Sequence, residues 1–168
     1  ARRTRETIAL VEAWGAEVVL VETVGVGQSE TLVAEMTDVF ALLIAPAGGD
    51  ELQGVKRGVM EVADIIAVNK ADGDLADEAS RTCAEYAGAL RLMRRRDGDP
   101  ERYPLAMRVS ATTGAGVAEF WDAVRELAEA RRASGALMER RGRQAQTAFI
   151  RAFETEVLRL THAKEAVR

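Results

Sequence analysis

The stretch DIIAVNKADG, residues 64–73, runs from a block of apolar residues straight into Asn69-Lys70-Ala71-Asp72-Gly73. Ile65, Ile66 and Val68 are β-branched, and the block is continuously apolar, not alternating, which predicts a short strand covered on both faces. Three other blocks read the same way: VVLVE (18–22), VFALLIA (39–45) and PLAMRVS (104–110). Longer stretches of helical periodicity lie between them. Leu52, Val55, Val59 and Val62 form one stripe, and Ala79, Cys83, Ala87 and Leu90 a second, which places Cys83 in the core. Val117, Phe120, Trp121, Val124 and Ala128 form a third and place Trp121 in the core as well. Strands alternating with helices predict an α/β fold, a parallel sheet flanked by helices. Beyond Ala133-Ser134-Gly135 a polar segment leads to a last helix with Phe149, Phe153, Val157 and Leu160 along one side. That side is expected to pack on its own domain, or else to stay open as an interface.

Composition narrows the function. At 168 residues, 48% hydrophobic and 30% charged, the chain has the makings of one domain with a core. A net charge of -4 argues against binding nucleic acid through phosphate neutralisation, so Arg94-Arg95-Arg96 and Arg140, Arg141 and Arg143 read as solvated faces. One cysteine, Cys83, and one histidine, His162, leave no disulfide framework, thiolate zinc site or histidine triad. No apolar run approaches the length needed to cross a bilayer, so no membrane partner is expected. The chain starts without Met, as if entered midway.

The carboxyl ends of parallel strands line the ligand crevice of an open sheet, and three of these blocks end in polar groups. Asn69-Lys70-Ala71-Asp72 matches N-K-x-D, the guanine-recognition element of GTP-binding proteins. A carboxylate at Asp72 can accept two parallel hydrogen bonds from guanine N1–H and its exocyclic amino group, which adenine cannot donate. The Lys70 stem can lie along the base, and Asn69 can tie neighbouring loops together. The plainer reading is a strand-to-helix loop with Asp72 as N-cap. Ser110-Ala111 fits an S-A element, whose backbone N–H after the serine faces guanine O6; the plainer reading is a serine satisfying its own turn. Glu22-Thr23-Val24-Gly25 is the counterpart of D-x-x-G, with a carboxylate near magnesium and a glycine that clears space for the γ-phosphate.

VETVGVGQSE (21–30) and GGDELQGVKRGVMEVADIIAVNKADG (48–73) resemble the G proteins associated with methylmalonyl-CoA mutase, the ArgK/MeaB/MMAA family. The resemblance covers most of residues 9–130. It implies a P-loop GTPase G domain of the SIMIBI type, here partial, with residues 1–134 the C-terminal portion of that domain and 135–168 a helical extension that starts a dimerisation arm. It implies GTP or GDP with Mg2+, a homodimer, and a chaperone that gates cofactor delivery to an adenosylcobalamin-dependent acyl-CoA mutase and protects or reactivates it; separately, the single cysteine suits a reducing cytoplasm, and abundant Arg and Ala with scarce Lys suit a bacterial source. The catalytic group would comprise Glu22, holding Mg2+ through water, Gly25 and Gln28. Guanine would be held by Asn69, Lys70, Asp72, Ser110 and Ala111. Val26, Gly27, Ser29, Gly48, Gly49, Asp50, Gln53 and Lys56 would couple nucleotide state to the partner, although Asp50 and Gln53 also suit a simple capping box.

Two departures shape the expectation. The phosphate loop G-x-x-x-x-G-K-[ST] is absent from these residues, so the chain alone is expected to bind GTP weakly and not to turn it over. Val26 stands where many GTPases place a water-orienting Gln, which predicts slow hydrolysis stimulated by a partner. The D-x-H-x-x-G motif that ligates cobalamin is absent, so no cobalamin is expected on this chain. The alternatives are a metal-delivery maturation GTPase of the same class and a non-catalytic interaction module that retains the fold.

Overall fold

The computed structural model describes residues 2–23, 30–46 and 57–165. In chain order these form α1 (Arg2–Ala13), α2 (Glu30–Ala34), β1 (Ala41–Ile44), α3 (Arg57–Val62), β2 (Ile65–Val68), α4 (Ala76–Leu90), β3 (Leu105–Arg108), α5 (Val117–Ala133) and α6 (Ala136–Glu165). The three strands form a parallel sheet in the order β1-β2-β3, with Ile65 in register with both Ala41 and Leu105. Parallel neighbours need long crossovers, which α3 and α4 help supply.

β2 is the hub because it is paired on both edges and covered on both faces; all four of its residues are buried. Successive side chains point to opposite faces. Ile66 therefore joins Val33, Phe40, Leu42, Val59, Tyr86 and Leu90 on one side. Ile65 joins Tyr103, Ala123 and Leu127 on the other. An apolar residue is needed at both positions, which is why this strand reads as an unbroken run.

Three expectations are corrected at once. VVLVE forms no strand: residues 18–22 join no ladder among the described residues, and Leu20 is 85% exposed while Val21 packs on the first core cluster. An extended run becomes a strand only where a neighbour supplies its hydrogen bonds, and the described residues offer none here. Trp121 is 39% exposed, because the stripe of α5 that meets the sheet runs through Phe120, Ala123, Val124, Leu127 and Arg131. Trp121 lies about 100° around the helix from Phe120. In α4 the buried stripe is Ala79, Thr82, Tyr86 and Leu90, leaving Cys83 half-buried.

The last helix departs furthest from its expected packing. Phe149 and Phe153 are 71% and 62% exposed, and Val157 and Leu160 are exposed as well. The helix runs 30 residues, and only its first part lies against the body of the domain: Leu137 is buried, while Arg140 and Gln144 donate to backbone carbonyls of residues 34–37. The turn into it uses Gly135 at φ 81°.

The arginine clusters are only partly solvated. Outside those clusters, Arg131, 2% exposed, is clamped between Asp64 and Asp99, with Nη2 2.7 Å from a carboxylate oxygen of each. Arg96 also pairs with Asp64, whose other oxygen accepts the Phe40 N–H at 2.7 Å. Arg141 pairs with Asp38 and Glu12. Arg94 and Arg95 are exposed, as expected.

Candidate functional site

Asn69 to Asp72 leave the carboxyl end of β2 and are fastened to both neighbouring strands. The Asn69 N–H donates to the Ile44 carbonyl at 2.8 Å, and the Ala71 N–H to the Val109 carbonyl at 3.1 Å. Between them Lys70 adopts φ 59°, the single non-glycine residue with positive φ among the described residues. This left-handed conformation is uncommon for a lysine and persists only where surroundings hold it. Here two ladder-like bonds on either side do so, and the exposed Lys70 side chain is carried out of the sheet edge.

The loop after β3 closes against the same end. The Ser110 N–H donates to the Ala115 carbonyl at 2.8 Å and the Gly114 N–H to the Ser110 carbonyl at 2.9 Å, so residues 110–116 fold back on themselves. Gly116 makes this possible: at φ 74° it lies so close to β3 that a Cβ would collide with the Arg108 carbonyl oxygen. α5 then starts at Val117, directly after that contact.

The two loops meet through side chains. The fully buried Ser110 hydroxyl donates to Asp72 Oδ1 at 2.6 Å and accepts from the Thr113 N–H at 3.1 Å. Asn69 Oδ1 accepts from the Ala111 N–H at 3.1 Å. Asp72 makes no capping bond to the helical turn that follows, so its carboxylate is directed across to Ser110 and not into its own loop. With one lone pair of Oδ1 used, a half-buried carboxylate retains three acceptor sites. Ser110 serves its turn and Asp72 together. The Ala111 N–H, expected to face guanine O6, is turned toward Asn69.

Five predicted guanine-site residues, Asn69, Lys70, Asp72, Ser110 and Ala111, therefore stand on two adjoining loops at one end of the sheet. Glu22 is described and exposed, on the unpaired segment before residue 24. Magnesium commonly binds through one or two carboxylates with waters and phosphates completing its shell, and an exposed single carboxylate fits that pattern as one water-bridged ligand. Gly25, Val26, Gly27, Gln28, Ser29, Gly48, Gly49, Asp50, Gln53 and Lys56 lie outside the described residues. Sequence reading missed Gly116 as the tight point of the second loop; its position before an apolar helix was the available signal. It also missed the Asp64, Arg131 and Asp99 cluster, which no local pattern announces.

Residues 1–166 match the family described as "Methylmalonyl Co-A mutase-associated GTPase MeaB". The chain is 50% identical over 143 residues to "Methylmalonic aciduria type A homolog, mitochondrial" of Mus musculus, covering 85% of this chain and 34% of that protein. It is 43% identical over 164 residues to "GTPase ArgK" of Escherichia coli K12, covering 98% of this chain and 49% of that one. A crystal structure of "LAO/AO transport system kinase" superposes with a TM-score of 0.82 at 40% identity, over 94% of this chain and 49% of that chain. The chain thus spans half or less of the length of these relatives.

Proposed function

Since the chain belongs to the methylmalonyl-CoA mutase-associated GTPase family MeaB, we propose that it supplies the guanine-binding part of a GTPase that serves an adenosylcobalamin-dependent acyl-CoA mutase. The fold is that of a P-loop GTPase G domain, in part, with a parallel sheet and flanking helices. The observation that carries the site is the Ser110 to Asp72 hydrogen bond, 2.6 Å, which holds a carboxylate at the sheet's ligand-facing end instead of letting it cap a helix.

In this reading Asp72 selects the base. Asp72 accepts guanine N1–H and the exocyclic N–H together; adenine presents a lone pair at N1 and would face the carboxylate with repulsion. Ser110 fixes the carboxylate plane, Asn69 holds the Ala111 loop at the distance the base requires, and Lys70, projected outward by its left-handed backbone, covers one face of the base. The Ala111 N–H is shared between Asn69 and the base oxygen when a nucleotide binds.

Glu22 and Gly25 make up the phosphate side. Glu22 would hold a magnesium ion through water, which would supply charge neutralisation of the phosphate oxygens, and Gly25 would let backbone N–H approach. Gln28 is the nearest residue in sequence suited to orient a water. Val26, Gly27, Ser29, Gly48, Gly49, Asp50, Gln53 and Lys56 form the segments that respond to nucleotide state and meet the mutase. Residues 1–134 belong to the G domain and 135–168 to a helical extension whose exposed Phe149, Phe153, Val157 and Leu160 support a role as homodimer arm. In this reading the protein is a cytoplasmic bacterial chaperone that gates cofactor delivery, and cobalamin is held by the partner.

Titration of the protein with fluorescent GDP and ADP tests the reading. Guanine preference lost on Asp72→Asn supports it; equal affinity for both nucleotides in the unsubstituted protein overturns it and favours a non-catalytic module. Because these residues lack a phosphate loop, the 168-residue chain binds GTP weakly and does not hydrolyse it appreciably.

A further inference from the structure

A cleft of about 340 Å³ opens between α2, α3, the loop at Arg96 and the first turns of α6. It lies toward the amino end of β2, marked by the bond of Arg96 to Asp64, whereas Asn69 and Asp72 follow the carboxyl end of that strand. Its polar lining includes Arg96, Arg140, Arg143, Gln144 and Thr147, with Glu35 and Glu61 as the acidic members.

The charges in this cleft do not cancel. Arg96 is matched by Asp64, and Arg143 by Glu139. Glu35 is engaged by Arg5 and Arg151, and Glu61 has a partner of its own. Asp64 and Asp99 are together offset by Arg131 and Arg96. Arg140 is left over. Its Nε donates to the Thr37 carbonyl at 3.1 Å and its Nη2 to the Ala34 carbonyl at 3.0 Å, but no carboxylate lies within ion-pair distance of it among the described residues. A half-buried guanidinium held only by neutral carbonyls is costly, since burial penalises charge that is not paired. Burial pushes the Arg140 guanidinium below its usual range, opposed at longer range by Asp64 and Asp38, with Arg131 and Arg96 adding to the depression.

We propose that this cleft is an oxyanion site, in which Arg140, backed by Arg96, Arg143, Gln144 and Thr147, takes a phosphate or phosphoryl group. Five donor side chains from two places in the chain, the loop at Arg96 and α6, line it, and a guanidinium with unused N–H groups is suited to a planar or tetrahedral oxyanion. The two carbonyls that anchor Arg140 belong to the end of α2 and the turn after it, so the fork is held in place before the ligand arrives. The site is separate from the guanine loops and does not depend on the reading of them.

Calorimetric titration of the protein with inorganic phosphate and with glycerol phosphate, at constant ionic strength, tests this. Saturable binding at one site is expected for at least one of them, weakened at least about tenfold in Arg140→Gln. Binding of glycerol phosphate alone assigns the site to a phosphoryl group on a larger ligand. Arg143 is exposed, so Arg143→Gln keeps the test valid if Arg140→Gln fails to fold; it is expected to weaken binding about threefold. No saturable binding of either compound to the unsubstituted protein, or binding unchanged by both substitutions, overturns the proposal.

Discussion

Ser110 Oγ donates to Asp72 Oδ1 across 2.6 Å although the two residues lie 38 positions apart, and this bond joins the loops that follow β2 and β3. Its consequence is directional: the Asp72 carboxylate is oriented by a buried hydroxyl, and a ligand meets it already aimed. Ser110→Ala should weaken guanine nucleotide binding about tenfold to a hundredfold, the worth of one hydrogen bond to a charged group, while leaving the far-ultraviolet circular dichroism unchanged. Full-strength binding in that variant would show that Asp72 needs no second residue to orient it.

Asp72→Asn replaces an acceptor pair by one acceptor and one donor. The amide N–H then opposes the exocyclic amino group of guanine but matches the C2 carbonyl of xanthine, while the amide oxygen still accepts N1–H. Affinity for guanine nucleotides should fall by more than about a hundredfold and xanthine nucleotides should gain, as read by competition binding.

Gly114 and Gly116 have nearly the same backbone, φ 78° and 74°, but a Cβ at Gly114 meets open space and one at Gly116 meets the Arg108 carbonyl oxygen. Gly114→Ala should therefore cost about 1 kcal/mol through conformation alone. Gly116→Ala should cost clearly more and displace the Ser110 loop, seen as a larger drop in denaturant midpoint together with lost nucleotide binding. Equal costs would mean that the loop relaxes away from β3.

Arg131 lies between Asp64 and Asp99 with almost no exposure, and burial works against its charge while hydrogen bonds to both carboxylates outweigh that and hold it protonated. Arg131→Met leaves two buried carboxylates short of a partner and should destabilise by about 3–5 kcal/mol in urea titration. Arg102→Ala removes a solvent-exposed pair with Glu126 and should cost less than about 1 kcal/mol.

Burial raises the Cys83 thiol above its ordinary range, with Arg108 pulling the other way. Less thiolate at a given pH means slower alkylation, so Cys83 should react more slowly than a free thiol at pH 8 and approach it only as pH rises further. Arg108→Ala removes the opposing charge and should slow the reaction again; acceleration would contradict the assignment.

How much was legible varies with distance along the chain. β2 and the N-K-x-D loop are both visible in DIIAVNKADG because strand, turn and polar groups are contiguous there. The blocks at 39–45 and 104–110 were visible for the same reason. VVLVE carries equal β character but no strand forms, since a strand is completed by a neighbour and propensity alone supplies none. Trp121 and Cys83 were assigned to buried faces by spacing; each sits about one position from the residues that are buried, because helix periodicity marks a broad stripe and the packing surface selects its centre.

What the amino-acid sequence determined by itself is therefore the set of short-range features: the α/β alternation, the apolar block of β2, and the chemistry of Asn69, Asp72 and Ser110. Only the tertiary structure decided which of these meet. The pairing of Asp72 with Ser110, the clamp of Arg131 between Asp64 and Asp99, and the reach of Arg140 to Thr37 across 103 positions arise from chain closure. A hydrogen bond depends on distances of about 3 Å, and distances between remote residues are set by how sheets and helices pack, which no local pattern of residues encodes.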